Sequence, residues 1–342
     1  MKYGIVALTK GAAATGAKIL AATGDAVFYV KPVFYKETDP HYALIDEPWN
    51  EFTGRVFKQH RVLIFIMAAG IVVRSLAPWL EDKTCDPAVL VVDEAGRFVI
   101  SLLSGHLGGA NLETELLAAK IGAVPVITTA SDVNGKLAVD QLALKYNCVI
   151  EDLQMAKKIT AMIVNNRKVL LMSDFAAPVI PAYLKPPPET AEAVIRISCS
   201  LSEPGKQPCV TLFPRFIVAG IGCRKDTPPD RILSFLKETL DNLCIDRRCL
   251  KSLATITLKQ DNLGPVAAAL GVPLTLFLPA EIAEVEHLFA GSDFVQRSVG
   301  VSCVCEPAAY LGSDRTGRML SPKQQYSGIT LALWQETFME AL

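Results

Sequence analysis

Short apolar runs alternate with helical patterns along the first third of the chain, the rhythm of a mostly parallel sheet covered by helices. Residues 3–8 read as a strand, and residues 16–22 as a helix after the Thr9-Lys10-Gly11 turn. Residues 61–69 form a second strand, apolar at almost every position and so buried on both faces. Residues 88–93 and 97–103 flank Glu94-Ala95-Gly96, which is hairpin spacing with glycine in the turn. A helical pattern over residues 111–121 places Leu112, Leu116 and Ala119 on one stripe, and residues 125–129 are the next strand.

From Leu137 the pattern changes. Two helices, 137–146 and 153–164, precede a strand at 168–172, and then prolines crowd the chain from Pro178 through Pro186-Pro187-Pro188 to Pro208. Prolines at that density predict neither regular helix nor central strand. A fresh strand at 215–219 leads into Gly220-Ile221-Gly222-Cys223-Arg224-Lys225, and Thr227 is placed to cap a helix that begins with Pro228-Pro229 and runs to Leu240. Strands at 252–258, 274–278, 301–305 and 329–334 alternate with helices at 263–270, 282–289 and 307–311. The fold class is α/β: two mostly parallel-sheet domains, 1–136 and 214–342, with a small α/β middle module and proline-rich linker at 137–213.

Composition narrows the functional classes. A chain of 342 residues predicts two or three cores, and 51% hydrophobic with 20% charged residues suits a packed soluble protein. The net charge of −1 balances 34 basic against 35 acidic residues, so no global field recruits nucleic acid or a membrane, and any anion must be held by local groups. The longest apolar run, residues 62–73, ends well short of the ~20 residues that span a bilayer and reads as a buried strand with the loop after it. Only a short apolar stretch, 4–8, follows Met1-Lys2, so no leader is expected and the reading is a cytoplasmic protein. The nine cysteines, an odd number without a C-x-x-C pair, predict buried reduced thiols and no metal site.

Candidate chemistry concentrates in Ser101-Leu102-Leu103-Ser104-Gly105-His106-Leu107-Gly108-Gly109-Ala110-Asn111. A strand empties into a glycine-bearing loop and then a helix, the local geometry of an anion site, with a residue that titrates near neutrality inside it. Asn111 reads as the N-cap of that helix, with Glu113 in its first turn. Two other strand ends, Ala68-Ala69-Gly70 and Thr128-Thr129-Ala130-Ser131-Asp132, are placed to line one crevice with it. Arg74, Lys83 and Asp86 follow the second strand, and Arg74, Lys83, Arg224 and Lys225 are candidate carboxylate clamps. Gly220 and Gly222 lack the third glycine of a dinucleotide loop, Glu306 is a carboxylate at a loop mouth between a strand and Pro307, and Lys323 precedes the last strand. No G-x-S-x-G, H-E-x-x-H or phosphate-binding P-loop motif occurs, which leaves hydrolysis by an activated water open.

These residues resemble the CbiG family of anaerobic cobalamin biosynthesis. The likeness is carried by Met67-Ala68-Ala69-Gly70-Ile71-Val72-Val73-Arg74, Asp82-Lys83, Asp86-Pro87-Ala88-Val89, Asp93-Glu94-Ala95-Gly96, the Ser101 to Asn111 run and Val126-Ile127-Thr128-Thr129-Ala130-Ser131-Asp132. It resumes with Gly220-Ile221-Gly222-Cys223-Arg224-Lys225, Leu253-Ala254-Thr255-Ile256, Lys259, Glu306-Pro307-Ala308-Ala309 and Lys323. One departure stands out: Asn262 occupies a place where the resemblance leads to an acidic residue.

The resemblance implies a hydrolase that opens the δ-lactone of cobalt-precorrin-5A and releases acetaldehyde. His106 is then the base, the amides around Gly108 and Gly109 the oxyanion donors, and Asp132 or Glu306 the group that deprotonates the freed hydroxyl. Gly105, Asn111, Thr128, Thr129 and Gly222 join the four clamps as substrate-binding positions. Cobalt comes with the substrate, so no cofactor or protein metal site is implied. The partner is an anionic corrinoid, with room for a homodimer and for transient contact with neighbouring pathway enzymes. Two other classes stay open: a non-catalytic tetrapyrrole carrier, and a nucleotide-dependent transferase using Gly220 to Gly222.

Overall fold

Strands that are apolar at every position need cover on both faces. The computed structural model, which describes residues 2–36, 39–82, 85–106, 108–130, 135–175, 180–201 and 207–338, supplies it. The chain divides into two units, Met1–Gln141 and Leu142–Leu342.

In the first unit seven strands, β1 (Tyr3–Ala7), β2 (Ala26–Val30), β3 (Tyr42–Leu44), β4 (Val62–Ile66), β5 (Ala88–Val92), β6 (Phe98–Leu103) and β7 (Val124–Val126), pair in the order β3-β2-β1-β4-β5-β6-β7. The helices are α1 (Lys10–Thr23), α2 (Trp49–Gln59), α3 (Ala69–Leu76) and α4 (Ala110–Ile121). Because side chains alternate along a strand, Ile5, Ile64, Ile66, Leu90 and Val92 pack with Ala12, Ile19 and Leu117 of α1 and α4. Val6, Leu63, Phe65, Val89 and Val91 pack on the other face with Phe52, Val56, Val72 and Leu76 of α2 and α3. Each fully buried side chain of this size contributes ~1.5–3 kcal/mol.

The hairpin forms as its spacing predicts, with β5 and β6 antiparallel. Asp93 closes its turn by accepting the Arg97 and Phe98 amides at 2.6 and 2.7 Å. The first five strands run parallel, and β7 runs parallel to β6. The loops after β6 and β7 therefore open at the edge where β4 and β5 begin, and the loop after β4 opens at the opposite edge. The single crevice expected from three strand ends does not form: Ala68-Ala69-Gly70 is on the wrong side of the sheet.

Three local expectations also change. Residues 69–76 are helix, so Arg74 stands on α3 and not on a loop. Residues 26–59, given no element from the sequence, hold β2, β3 and α2. Gly54, a helix-weakening residue within α2, is needed because a Cβ there would lie 2.6 Å from the Trp79 ring. On α4, Leu112 and Leu116 are exposed, while Ala110, Asn111, Thr114, Leu117 and Ala118 face inward. That inward set has helical spacing of its own, so the stripe is rotated from the one read off the leucines.

In the second unit β8 (Cys148–Ile150), β9 (Val169–Ser173), β10 (Ala193–Ile197) and β11 (Cys209–Pro214) form a sheet ordered β8-β11-β10-β9. Two of its strands come from the stretch expected to be linker, and they are the inner two. Between β9 and β10, Pro181 and Pro187 cap 3-10 turns at Ala182–Leu184 and Pro188–Thr190, outside the strands. Helices α5 (Val139–Lys145) and α6 (Leu153–Val164) precede this sheet's β9.

A second sheet orders β12 (Ile217–Cys223), β13 (Leu250–Ile256), β14 (Leu274–Phe277), β15 (Arg318–Tyr326) and β16 (Ile329–Gln335) as β14-β13-β12-β16-β15. Helices α7 (Pro229–Asn242) and α8 (Gln260–Leu270) cover one face of it. On the other lie α9 (Pro279–Val285), α10 (Asp293–Val299) and α11 (Cys305–Gly312). Pro228, not Thr227, is the N-cap of α7. The strand expected at 301–305 is absent, and Cys305 opens α11. Lys323 lies within β15. Among the described residues no helix is long and apolar enough to cross a membrane.

Candidate active site

The loop after β6 turns sharply at Ser104, whose φ of +57° is rare for a residue with a side chain. Gly108 lies so close behind it that a Cβ would meet Ser104 Cβ at 2.3 Å, and Gly109 takes a φ of +84°. Two glycines are therefore fixed by the backbone path. Ser104 Oγ donates to Asp86 O at 3.0 Å, which ties the loop to the segment entering β5.

The turn delivers His106 to a carboxylate. Its Nδ1 lies 3.0 Å from Asp140 Oδ1, and both side chains are only 13% exposed. Asp140 also accepts the Gln141 amide at 3.1 Å in the first turn of α5, which fixes its carboxylate. A carboxylate on Nδ1 holds the proton there and leaves Nε2 as the basic nitrogen, and it stabilises the imidazolium once Nε2 takes a proton. Sequence reasoning singled out His106 but not its partner Asp140. Its only signal was an acidic residue at the start of a predicted helix, which the helix dipole already explains.

Asn111 is not the N-cap of α4. That position is Gly109, without a side-chain cap, and Asn111 sits two residues further in, buried. Its Oδ1 accepts Ser101 Oγ at 2.6 Å and its Nδ2 donates to Thr129 Oγ1 at 2.9 Å, so it joins β6, α4 and the loop after β7. Gly105 must lack a side chain, because a Cβ would lie 2.8 Å from Asn111 Oδ1. Thr129 is half-buried in this bond, and Thr128 beside it is exposed.

Amide accounting changes the expected anion site. Gly109 N–H donates to His106 O at 2.9 Å, Ala110 N–H to Ser104 O at 3.1 Å and Asn111 N–H to Gly105 O at 2.9 Å. Gly109 is thus no oxyanion donor. The amides of Gly105 and Gly108 have no acceptor among the described residues.

The remaining predicted positions are elsewhere. Arg74 is exposed on α3, which starts from the opposite sheet edge. Lys83 and Asp132 lie outside the described residues. In the second unit Arg224 and Lys225 are exposed just after β12, and the Arg224 amide donates to Gly328 O at 3.2 Å. Glu306 is buried at the start of α11, where Oε1 accepts the Lys323 amide at 3.1 Å. Burial pushes the neighbouring Cys305 thiol up to about 11, so it stays protonated and inert near neutral pH.

Gly220 and Gly222 are strand residues, paired to β16 at Ala332 and Thr330, with Gly220 paired to Ala254 of β13 as well. No phosphate loop exists there, which removes the basis for a nucleotide reading. Among the described residues no group of three or more His, Cys, Asp or Glu is arranged to hold a metal.

The departure at Asn262 has a structural reason. Its Nδ2 donates to Lys225 O at 3.0 Å and Thr227 O at 3.1 Å, bracing the loop before α7. A carboxylate cannot donate. Asn262→Asp turns two bonds into two lone-pair repulsions, and thermal unfolding should show a loss of ~1–3 kcal/mol.

Family models match three consecutive stretches: Cobalamin synthesis G N-terminal over residues 51–132, Cobalamin biosynthesis central region over 137–214, and Cobalamin synthesis G C-terminus over 217–334. A protein of Salmonella typhimurium named cobalt-precorrin-5A hydrolase is 41% identical over 294 residues, which is 82% of this chain and 83% of that one. A protein of the same name from Priestia megaterium is 31% identical over 360 residues, 97% and 94% of the two chains. The crystal structure of a cobalamin biosynthesis protein G homolog from Sulfolobus solfataricus aligns over 98% of this chain and 97% of its own, with 20% identity and a TM-score of 0.42. With all three regions matched in order and 41% identity to a relative over most of both lengths, the chain belongs to the cobalamin synthesis G (CbiG) family.

Proposed function

We propose that the protein is a cobalt-precorrin-5A hydrolase, and that the His106–Asp140 pair is its acid–base centre. The observation that carries the chemical part is the 3.0 Å contact between Nδ1 and a fixed, largely buried carboxylate. Such a pair is a water-activating device, and the relatives named cobalt-precorrin-5A hydrolase support a hydrolytic step, which this reading places at the δ-lactone.

Nε2 of His106 takes a proton from water as the oxygen attacks the lactone carbonyl. Negative charge develops on the carbonyl oxygen, and the amides of Gly105 and Gly108 are the available donors beside it. The imidazolium, held by Asp140, then returns the proton to the departing ring oxygen, leaving a carboxylic acid and a free hydroxyl. Loss of acetaldehyde follows when that hydroxyl is deprotonated and the macrocycle carbon is protonated as the carbon–carbon bond breaks. His106 is neutral again after the first step and is assigned the deprotonation too. Cobalt is part of the substrate in this reading.

A carrier without catalysis predicts binding alone. The purified protein incubated with cobalt-precorrin-5A should release one acetaldehyde per substrate consumed over many turnovers. Binding without acetaldehyde would establish the carrier instead.

A further inference from the structure

A cleft of about 590 Å³ opens at the same sheet edge as the His106 loop. Its wall takes Lys58 from α2, Arg61 from the entry to β4, Trp79 from the turn after α3, Glu81 and Asp86 from the segment before β5, and Gly108 from the loop itself. Gly108 is two residues from His106, so the cleft and the acid–base pair share one loop.

The wall is unevenly satisfied. Asp86 Oδ1 accepts the Glu81 amide at 3.1 Å. Lys58 and Arg61 are exposed and form no ion pair among the described residues. Among the described residues Arg61 is held by its backbone, whose carbonyl accepts the Ala88 amide at 3.0 Å. Trp79 packs its six-membered ring on Gly54, yet its buried Nε1 meets no acceptor among the described residues. An orphaned indole N–H in a cavity wall is costly unless a ligand supplies the acceptor. His60, also on the wall, is buried and fixed at 2.8 Å from the Tyr29 hydroxyl, so it stiffens the floor.

Two cations without an ion pair, of which Lys58 lies 6.0 Å from the centroid of the Trp79 ring, together with an unmet N–H donor and that aromatic surface, call for a carboxylate borne on a flat, partly apolar body. The volume exceeds what one carboxylate needs and lies within the range of small-molecule sites. Resting on the proposed hydrolase reading, we propose that this cleft anchors one carboxylate arm and the adjoining rim of the corrinoid. Arg61 is the bidentate anchor, Lys58 the second charge and Trp79 the donor and stacking face.

Steady-state acetaldehyde release separates anchoring from chemistry. Arg61→Ala should raise KM about tenfold or more with kcat within about twofold, and Arg61→Lys should recover part of the loss. Trp79→Phe keeps the ring, removes the donor and should raise KM by about threefold. Unchanged KM in the Lys58→Ala/Arg61→Ala double variant would overturn the proposal. The second arm needs no turnover: cobyrinic acid, a stable cobalt corrinoid with free carboxylates, should bind the wild-type protein more tightly than its fully methylated ester. Arg61→Ala should erase that preference. Equal affinity for acid and ester sinks the cleft proposal, whereas wild-type protein that releases no acetaldehyde sinks only the hydrolase reading.

Discussion

His106→Ala lowers kcat for acetaldehyde release by a factor of about 10²–10⁴, with KM nearly unchanged, if its ring is the proton carrier. The loss falls on kcat because a base acts in the transition state and the carboxylate anchors act on binding. Asp140→Asn separates the pair from a lone histidine. An amide in that place supplies no charge to an imidazolium and lets the ring adopt the other tautomer, so kcat should again fall by at least about a hundredfold. The double variant should be little worse than His106→Ala alone, since residues that act as a unit are not additive. Circular dichroism and melting temperature must match wild type, as His106 lies on a loop that the β6–α4 junction holds through Asn111. If His106→Ala kept wild-type kcat while Asp140→Asn lost it, the base would be another group that Asp140 orients.

The structure explains why that partner was not legible. His106 declared itself through glycines whose positions the backbone path requires, and those signals are local. Asp140 meets it through the return of the chain after β7, and nothing in Val139-Asp140-Gln141 distinguishes a carboxylate that pairs with a histidine from an ordinary helix start. The hairpin was equally plain in Glu94-Ala95-Gly96, but its consequence lies at the level of the whole sheet: reversing direction after β5 moves the loop after β6 to the opposite edge from the loop after β4. Motif residues that are close in character, Ala68-Ala69-Gly70 and Ser104-Gly105-His106, are thereby parted. The cleft with Arg61 and Trp79 was invisible for the same reason, since its walls come from α2, the turn after α3 and two strand entries. The proline-rich stretch misled differently. Prolines bar a central strand only where they sit inside it, and here they fall mainly between β9 and β10.

Gly220→Ala tests the reassignment of the second glycine motif, and its expected effect is on stability. Gly220 lies in β12 with Ala332 beside it on β16 and Ala254 on β13, and α11 crosses directly above. A Cβ would stand 1.9 Å from the Cys305 carbonyl oxygen and 2.6 Å from the Ala309 nitrogen. Both are backbone atoms, so no side chain can swing aside. The helix must lift by about an ångström from a close-packed interface that buries Cys305, Glu306, Pro307, Ala308 and Ala309. Overpacking against a yielding neighbour costs about 1–3 kcal/mol, and a rigid one puts this change at or above the top of that range. The melting transition should fall by roughly 6–12 °C for a unit of this size. Gly70→Ala is the control. That glycine sits inside α3 with only Arg74 Nη1 at 3.7 Å from its would-be Cβ, so alanine should leave stability unchanged or raise it by ~0.5–1 kcal/mol. A ligand-facing glycine loop makes the opposite prediction for Gly220: intact melting with lost binding. A wild-type transition in Gly220→Ala would therefore restore the nucleotide-loop reading that the strand pairing argues against.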